Sequence, residues 1–166
     1  MRPAGHMTDS LFGAQLVVSK WLMSHGLNFT TAINPQLPGT RSWSLALQPN
    51  ENGSVVNLLI YVAPGLFGVL LPLQARGHDS CDDVISFVFT NVSFVRFAAD
   101  TTAGSRVFWL RAEFPIDEEP PHLLPGTIHV AIGTTMSTAG LIFDRFAGRF
   151  ESTEPSTIPM STLDGR

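Results

Sequence analysis

Five histidines, one cysteine and two acidic runs are the residues of this chain whose chemistry could reach beyond packing. Their spacing argues against most uses. His25, His78, His122 and His129 lie far apart, and none forms the i, i+4 pair that puts two imidazoles on one helix face. They read as solvated or hydrogen-bonded side chains. Cys81 sits where a helix N-terminus would lower a thiol pKa, but Asp82 and Asp83 disfavour the thiolate, so a reactive cysteine is not expected. "DSCDD", Asp79 to Asp83, offers three carboxylates in five residues without the glycine and closing glutamate of a calcium loop. Negative charge complementing a helix N-terminus accounts for them. "DEE", Asp117 to Glu119, reads as a solvated loop. No glycine-rich phosphate loop occurs, and "GTTMSTAG" lacks the strand–elbow context of a hydrolase serine. The expectation is a chain with no catalytic residues, no metal and no cofactor: not an enzyme.

Composition narrows the partners. Hydrophobic residues make up 44% of the 166 and charged residues 14%, with net charge −4. A surface this poor in charge tends to associate with something. Nine arginines and one lysine, Lys20, form no basic cluster, so nucleic acid is not an expected partner. A lone cysteine excludes an internal disulfide and fits a reducing, cytoplasmic setting. The longest apolar run, Asn57 to Leu73, is broken by Pro64-Gly65 and reads as two buried strands, not a membrane span.

Periodicity supplies the elements. Residues 1–7 are set aside as an expression remnant or disordered leader, 8–149 form one domain, and 150–166, rich in Pro, Ser and Thr, form a flexible tail. Thr8 or Ser10 would cap a first helix with the stripe Leu11, Ala14, Val17, Val18, Trp21, Leu22, ending near Gly26. "SWSLALQ" alternates as a half-buried strand. Asn52-Gly53 marks a hairpin into Val55–Ala63, and Pro64-Gly65 turns into Leu66–Leu73, with Pro72 at the strand end or at an edge-facing position. Ser80 and Asp83 match a capping box ahead of a second helix with the stripe Ile85, Val88, Phe89, Val92. A closing helix from Leu124 or Gly126 to Ala147 buries Ile128, Ile132, Thr135, Ala139, Ile142, Phe143 and Phe146. Its Gly133 and Gly140 either admit a close neighbour or weaken the helix. The order is α-β-β-β-α-β-β-α: an α+β fold with a five-stranded antiparallel sheet and helices packed on one face.

The hairpin between the last two helices, "VSFVRFAADTTAGSRVFWLRAEFP", Val92 to Pro115, is apolar on both faces. Val95, Phe97 and Ala99 oppose Phe94, Arg96 and Ala98 on the first strand. Val107 and Trp109 oppose Phe108, Leu110, Ala112 and Phe114 on the second. Arg96 could pair with Glu113 across the strands. One face belongs to the helices. What closes the other is the functional question: a second copy, a client, or the chain itself.

A helix ending at Asn91 and running into a hairpin marked by Phe97, Asp100, Gly104, Val107, Trp109, Phe114 and Pro115 resembles the YbjN-like family, whose fold is shared with type III secretion chaperones. The opening helix with Trp21, followed by a loop and "SWSLALQ", fits the same pattern. The resemblance covers residues 10 to 148; the Pro-rich loop after the first helix and the Gly- and Thr-rich closing helix depart from it. It implies a non-enzymatic, often dimeric module that binds other proteins. The expected partners are a second copy and a client protein, with no nucleic acid and no membrane. The expected interface residues are Phe94, Arg96, Phe108, Trp109 and Leu110. The alternative is a small-molecule or lipid-binding domain with its pocket between the last helix and the sheet.

Overall fold

The computed structural model describes residues 4–33, 39–48, 55–77, 80–100, 104–116 and 123–153, with the side chains of the first helix described from residue 13 onward. His78, His122, Asp79, the Asp117–Glu119 run, the Asn52-Gly53 turn and most of the expected tail lie outside them. Ten elements follow one another: α1 (Ala4–Ser24), β1 (Thr30–Ile33), β2 (Arg41–Leu47), β3 (Val56–Ala63), β4 (Leu66–Ala75), α2 (Asp82–Asn91), β5 (Arg96–Ala99), β6 (Val107–Pro115), α3 (Pro125–Arg145) and β7 (Phe150–Ser152). The class is the expected one, α+β with an antiparallel sheet, but the sheet has seven strands and not five. Its order is β1-β2-β3-β4-β6-β5, with β7 against β4.

The two unexpected strands are short and peripheral. β1 has no buried residue, and among the described residues its one strand partner is β2. β7 falls in the expected tail, yet Phe150 is buried, edge-on to Phe97 and Phe108 at 5.6 and 5.9 Å. The domain therefore runs past residue 149. At the other end α1 begins at Ala4, inside the residues set aside, which leaves Thr8 and Ser10 within the helix and not at its cap.

β7 also explains Pro72. In β4 the odd-numbered residues bond toward β6: Ala75 N–H donates to Arg106 O, and Gly65 O accepts from Ile116 N–H. Even-numbered residues bond to the other side, where β3 pairs as far as Leu70 and β7 begins opposite Leu73. Pro72, without an N–H, occupies the gap between the two, so an interior proline costs no ladder bond.

Alternation sorts the strands into two faces. Trp43, Leu58, Ile60, Phe67, Val69, Leu71, Phe97, Leu110 and Ala112 point to one side, where Val18 and Leu22 of α1, Val84 and Val88 of α2, and Ile128, Ile132, Ala139 and Ile142 of α3 complete a single core. Trp43 Nε1 donates to Ser19 Oγ at 3.2 Å, tying α1 to β2. At the other helix seam, Phe87 and Phe146 meet edge to face at 5.5 Å, and Arg149 forks onto Asp83. The Arg149 guanidinium holds the Asp83 carboxyl below its usual value. Asp83 thus serves this bridge. No capping box forms: Cys81 occupies the N-cap without a side-chain capping bond, and Ser80 Oγ donates to Asp82.

α3 is long and apolar enough, by length and composition, to cross a membrane, with mean hydropathy 1.2 over its most apolar window. Its seven buried residues lie on the side turned to the sheet, as in a core helix. Gly133 lies on its outer side, and a methyl added there meets nothing within 4 Å. No part of the chain's own sheet approaches this glycine closely. Gly133→Ala should therefore stabilise the fold by about 1 kcal/mol. That corresponds to a rise of roughly 2–4 °C in Tm by calorimetry. An unchanged or lower Tm would show that the helix needs glycine there.

Candidate functional site

The second sheet face is closed within one chain at its centre. Leu59, Tyr61, Leu70 and Trp109 form a separate apolar cluster, to which the described helices contribute nothing, and each is 6% exposed or less. Its organising feature is a glycine. Tyr61, Gly68 and Glu113 stand in register across β3, β4 and β6. The Tyr61 ring lies flat over Gly68, so that a Cβ built there would fall 2.2 Å from the ring. Crossing above Gly68 brings the Tyr61 hydroxyl to Glu113, donating to Oε1 at 2.5 Å. Arg111 Nε reaches the same oxygen at 2.9 Å. The carboxylate thus accepts from a phenol and a guanidinium, a charge-assisted arrangement that fixes all three side chains.

This network borders a cleft of about 580 Å³ at the end of the sheet, lined by Phe89, Val92, Phe94, Val95, Arg96, Arg111, Glu113, Phe114 and Pro115. The cleft exists because two neighbouring strands differ in length. β5 starts at Arg96, opposite Arg111, while β6 runs on to Pro115. Between α2 and β5 the chain turns out of the sheet. Val92 closes the helix in an extended conformation, its N–H on Val88 O. Phe94 follows at φ +69°, the only described non-glycine residue in the left-handed region. A bulky side chain held there costs of order 1–3 kcal/mol, and such strain gathers at binding sites. The result is a pair of outward phenylalanines, Phe89 87% and Phe94 71% exposed, with Phe94 6.2 Å from Phe114.

The electrostatics of the cleft are unbalanced. Two guanidiniums and one carboxylate line it. Arg96 does not meet Glu113, as the sequence suggested. The register sets it directly opposite Arg111, and no ion pair forms on it among the described residues. Like charges facing each other across a strand pair are unfavourable. The backbone is open here as well. Asp100 N–H donates to Val107 O, so odd-numbered residues of β6 bond toward β5. Glu113 is odd and lies beyond the end of β5, and its N–H and C=O have no strand partner among the described residues.

The five expected interface residues divide. Phe94 and Arg96 line the cleft and are exposed. Phe108 and Leu110 point into the helix-covered core, Phe108 9% exposed and stacked 5.0 Å from Phe97, Leu110 fully buried. Trp109 lies in the closed cluster of the other face, with its indole nitrogen buried and unbonded. Sequence reasoning missed Phe89, placed in the α2 core stripe, and Arg111, Glu113, Phe114 and Pro115 as members of one site. Elsewhere, His25 stacks on Trp21 at 3.9 Å and its Nδ1 lies 2.8 Å from Trp21 O. Cys81 is buried. Among the described residues no three His, Cys, Asp or Glu side chains gather as a metal site.

The fold and cleft define the class of protein this far: an α+β chain with helices on one face of an antiparallel sheet and a half-apolar, arginine-bearing notch at the sheet end. No family model, curated protein or solved structure matches the chain.

Proposed function

We propose that this chain is a non-enzymatic protein-binding module whose cleft at the end of β5 and β6 receives a segment of another polypeptide. The observation that carries the reading is Phe94: a large aromatic ring held in solvent by a strained backbone, beside a second exposed phenylalanine and two arginines. Aromatic and arginine side chains dominate the energetics of protein interfaces. The resemblance to YbjN-like proteins and secretion chaperones supports the same reading. The apolar centre of the second sheet face is already shut within one chain, which supports a client surface at the sheet end over one across the sheet. Homodimerisation and a cytoplasmic setting remain part of the proposal.

Phe94→Gly tests it. Glycine adopts positive φ freely, so the substitution removes strain while deleting the ring. Stability should hold or rise by about 1 kcal/mol. Peptides selected by display on the wild-type chain should lose at least tenfold in affinity for the variant. Selected peptides that bind both proteins alike would contradict the assignment. A cleft of 580 Å³ also lies within the range of small-molecule pockets, roughly 300–1,000 Å³, which is the specific support for the second reading. It is formed by α2, β5 and β6, and not by the last helix. A rise in Tm with a small carboxylic acid, and none with peptides, would favour that reading.

A further inference from the structure

We infer that the occupant of this cleft is the free C-terminus of a partner chain, with an apolar last residue. The inference rests on the protein-binding reading above and deepens it. Three features meet at one place. The wall is apolar: Phe89, Val92, Phe94 and Phe114. Among the described residues lining the cleft, two guanidiniums meet one carboxylate: Glu113 is engaged by Tyr61 and Arg111, and Arg96, which faces Arg111 across the strands, forms no ion pair. The floor offers peptide hydrogen bonds, because Glu113 turns its N–H and C=O toward the side that β5 leaves unfilled. Apolar wall, monoanion site and open strand edge together match the end of a polypeptide: a side chain, a carboxylate and a backbone.

Direction selects the end. β5 pairs antiparallel with β6 and begins at Arg96. A segment that continues the line of β5 along the unpaired part of β6, with the same antiparallel sense, must finish where β5 starts. Its last atoms then arrive at Arg96 and Arg111, and its final side chain lies beside the phenylalanines. Strand addition gives affinity through the backbone and specificity through the pocket, and a terminal carboxylate is a recurring handle for such capture. Guanidiniums suit it because their donors match a carboxylate in two-point geometry. The mutual repulsion of Arg96 and Arg111 would be relieved by the carboxylate set between them.

The test uses fluorescein-labelled hexapeptides Gly-Ser-Gly-Thr-Val-X, with X as Val, Leu, Ile or Phe, measured by anisotropy against the full chain. Each is made as the free acid and as the C-terminal amide. The free acids of at least one peptide should bind, and amidation should weaken binding at least tenfold. Arg96→Glu should weaken it at least tenfold while leaving Tm unchanged or higher, because the new carboxylate faces Arg111. Equal binding of acid and amide, or an affinity indifferent to Arg96→Glu, would overturn the inference. So would 3-phenylpropionate displacing the peptides at their own affinity, which would assign the cleft to a small acid. Failure of all four acids alongside Phe94-dependent binding of displayed internal peptides would overturn the C-terminal assignment and leave the binding-module reading standing. Failure of both would end both.

Discussion

Gly68→Ala should destabilise the fold by about 3 kcal/mol, a large effect for a single methyl. The reason is the contact above Gly68. Real Cβ atoms do not approach to 2.2 Å, and the obstacle is the Tyr61 ring, fully buried and anchored through its hydroxyl to Glu113. The ring cannot swing away without breaking that bond and leaving a buried phenol, itself a loss of about 1–3 kcal/mol. Strand glycines of this kind mark a close approach. Chemical denaturation checks the size of the effect. A double variant, Gly68→Ala with Tyr61→Leu, separates the cause: the smaller side chain should recover part of the loss. An additive pair would show that the ring is not the obstacle. The effect should spread to the cleft, because Tyr61 helps hold Glu113 and, through it, Arg111.

Leu110→Ala should cost about 2–5 kcal/mol and reduce the fold itself, not association. Leu110 is fully buried between the sheet and the helices, in register with Phe97 on one side and Leu71 on the other. A cavity at that depth cannot collapse easily. Thermal unfolding should show a loss of roughly 2–4 °C per kcal/mol. A variant with unchanged Tm and altered solution mass would place Leu110 in an interface between chains, where the sequence first put it, and would contradict the core described here.

The contrast between these residues shows what the sequence carries. Alternation made the faces of β2 and of the β5–β6 hairpin legible, whereas β3 and β4, apolar on both faces, were legible only as buried strands. The stripe of α3 was legible for the same reason. β1 and β7 were not. Four exposed residues and three beside a polar stretch hold no pattern of their own, and their pairing is decided by the neighbouring strand. Alternation also cannot fix register to within two residues, since a two-residue slip preserves both faces. That is why Arg96 was set against Glu113, when the structure sets it against Arg111. Phe89 sat correctly within a helix but on its outward side, next to the buried Val88, where the core does not cover it. The turn at Phe94 was legible only as a boundary, because nothing in "NVSFVRF" announces a positive φ on phenylalanine. The one signal that could have pointed to the site was Gly68, an unexplained glycine in the middle of an apolar strand.

The cleft is thus a by-product of ordinary sheet physics. A short edge strand leaves part of its longer neighbour unpaired, a strained residue keeps the entering chain clear of the gap, and an anchored carboxylate orders one arginine while the other stands beside it. The most direct measurement is an amide chemical-shift map of the 15N-labelled chain, titrated with the tightest peptide from display selection. The account predicts perturbations confined to Phe89–Arg96 and Arg111–Pro115, with the Glu113 amide moving most among residues of β6. Shifts centred on α1 and α3, or on the exposed edge of β1, with the cleft silent, would contradict it.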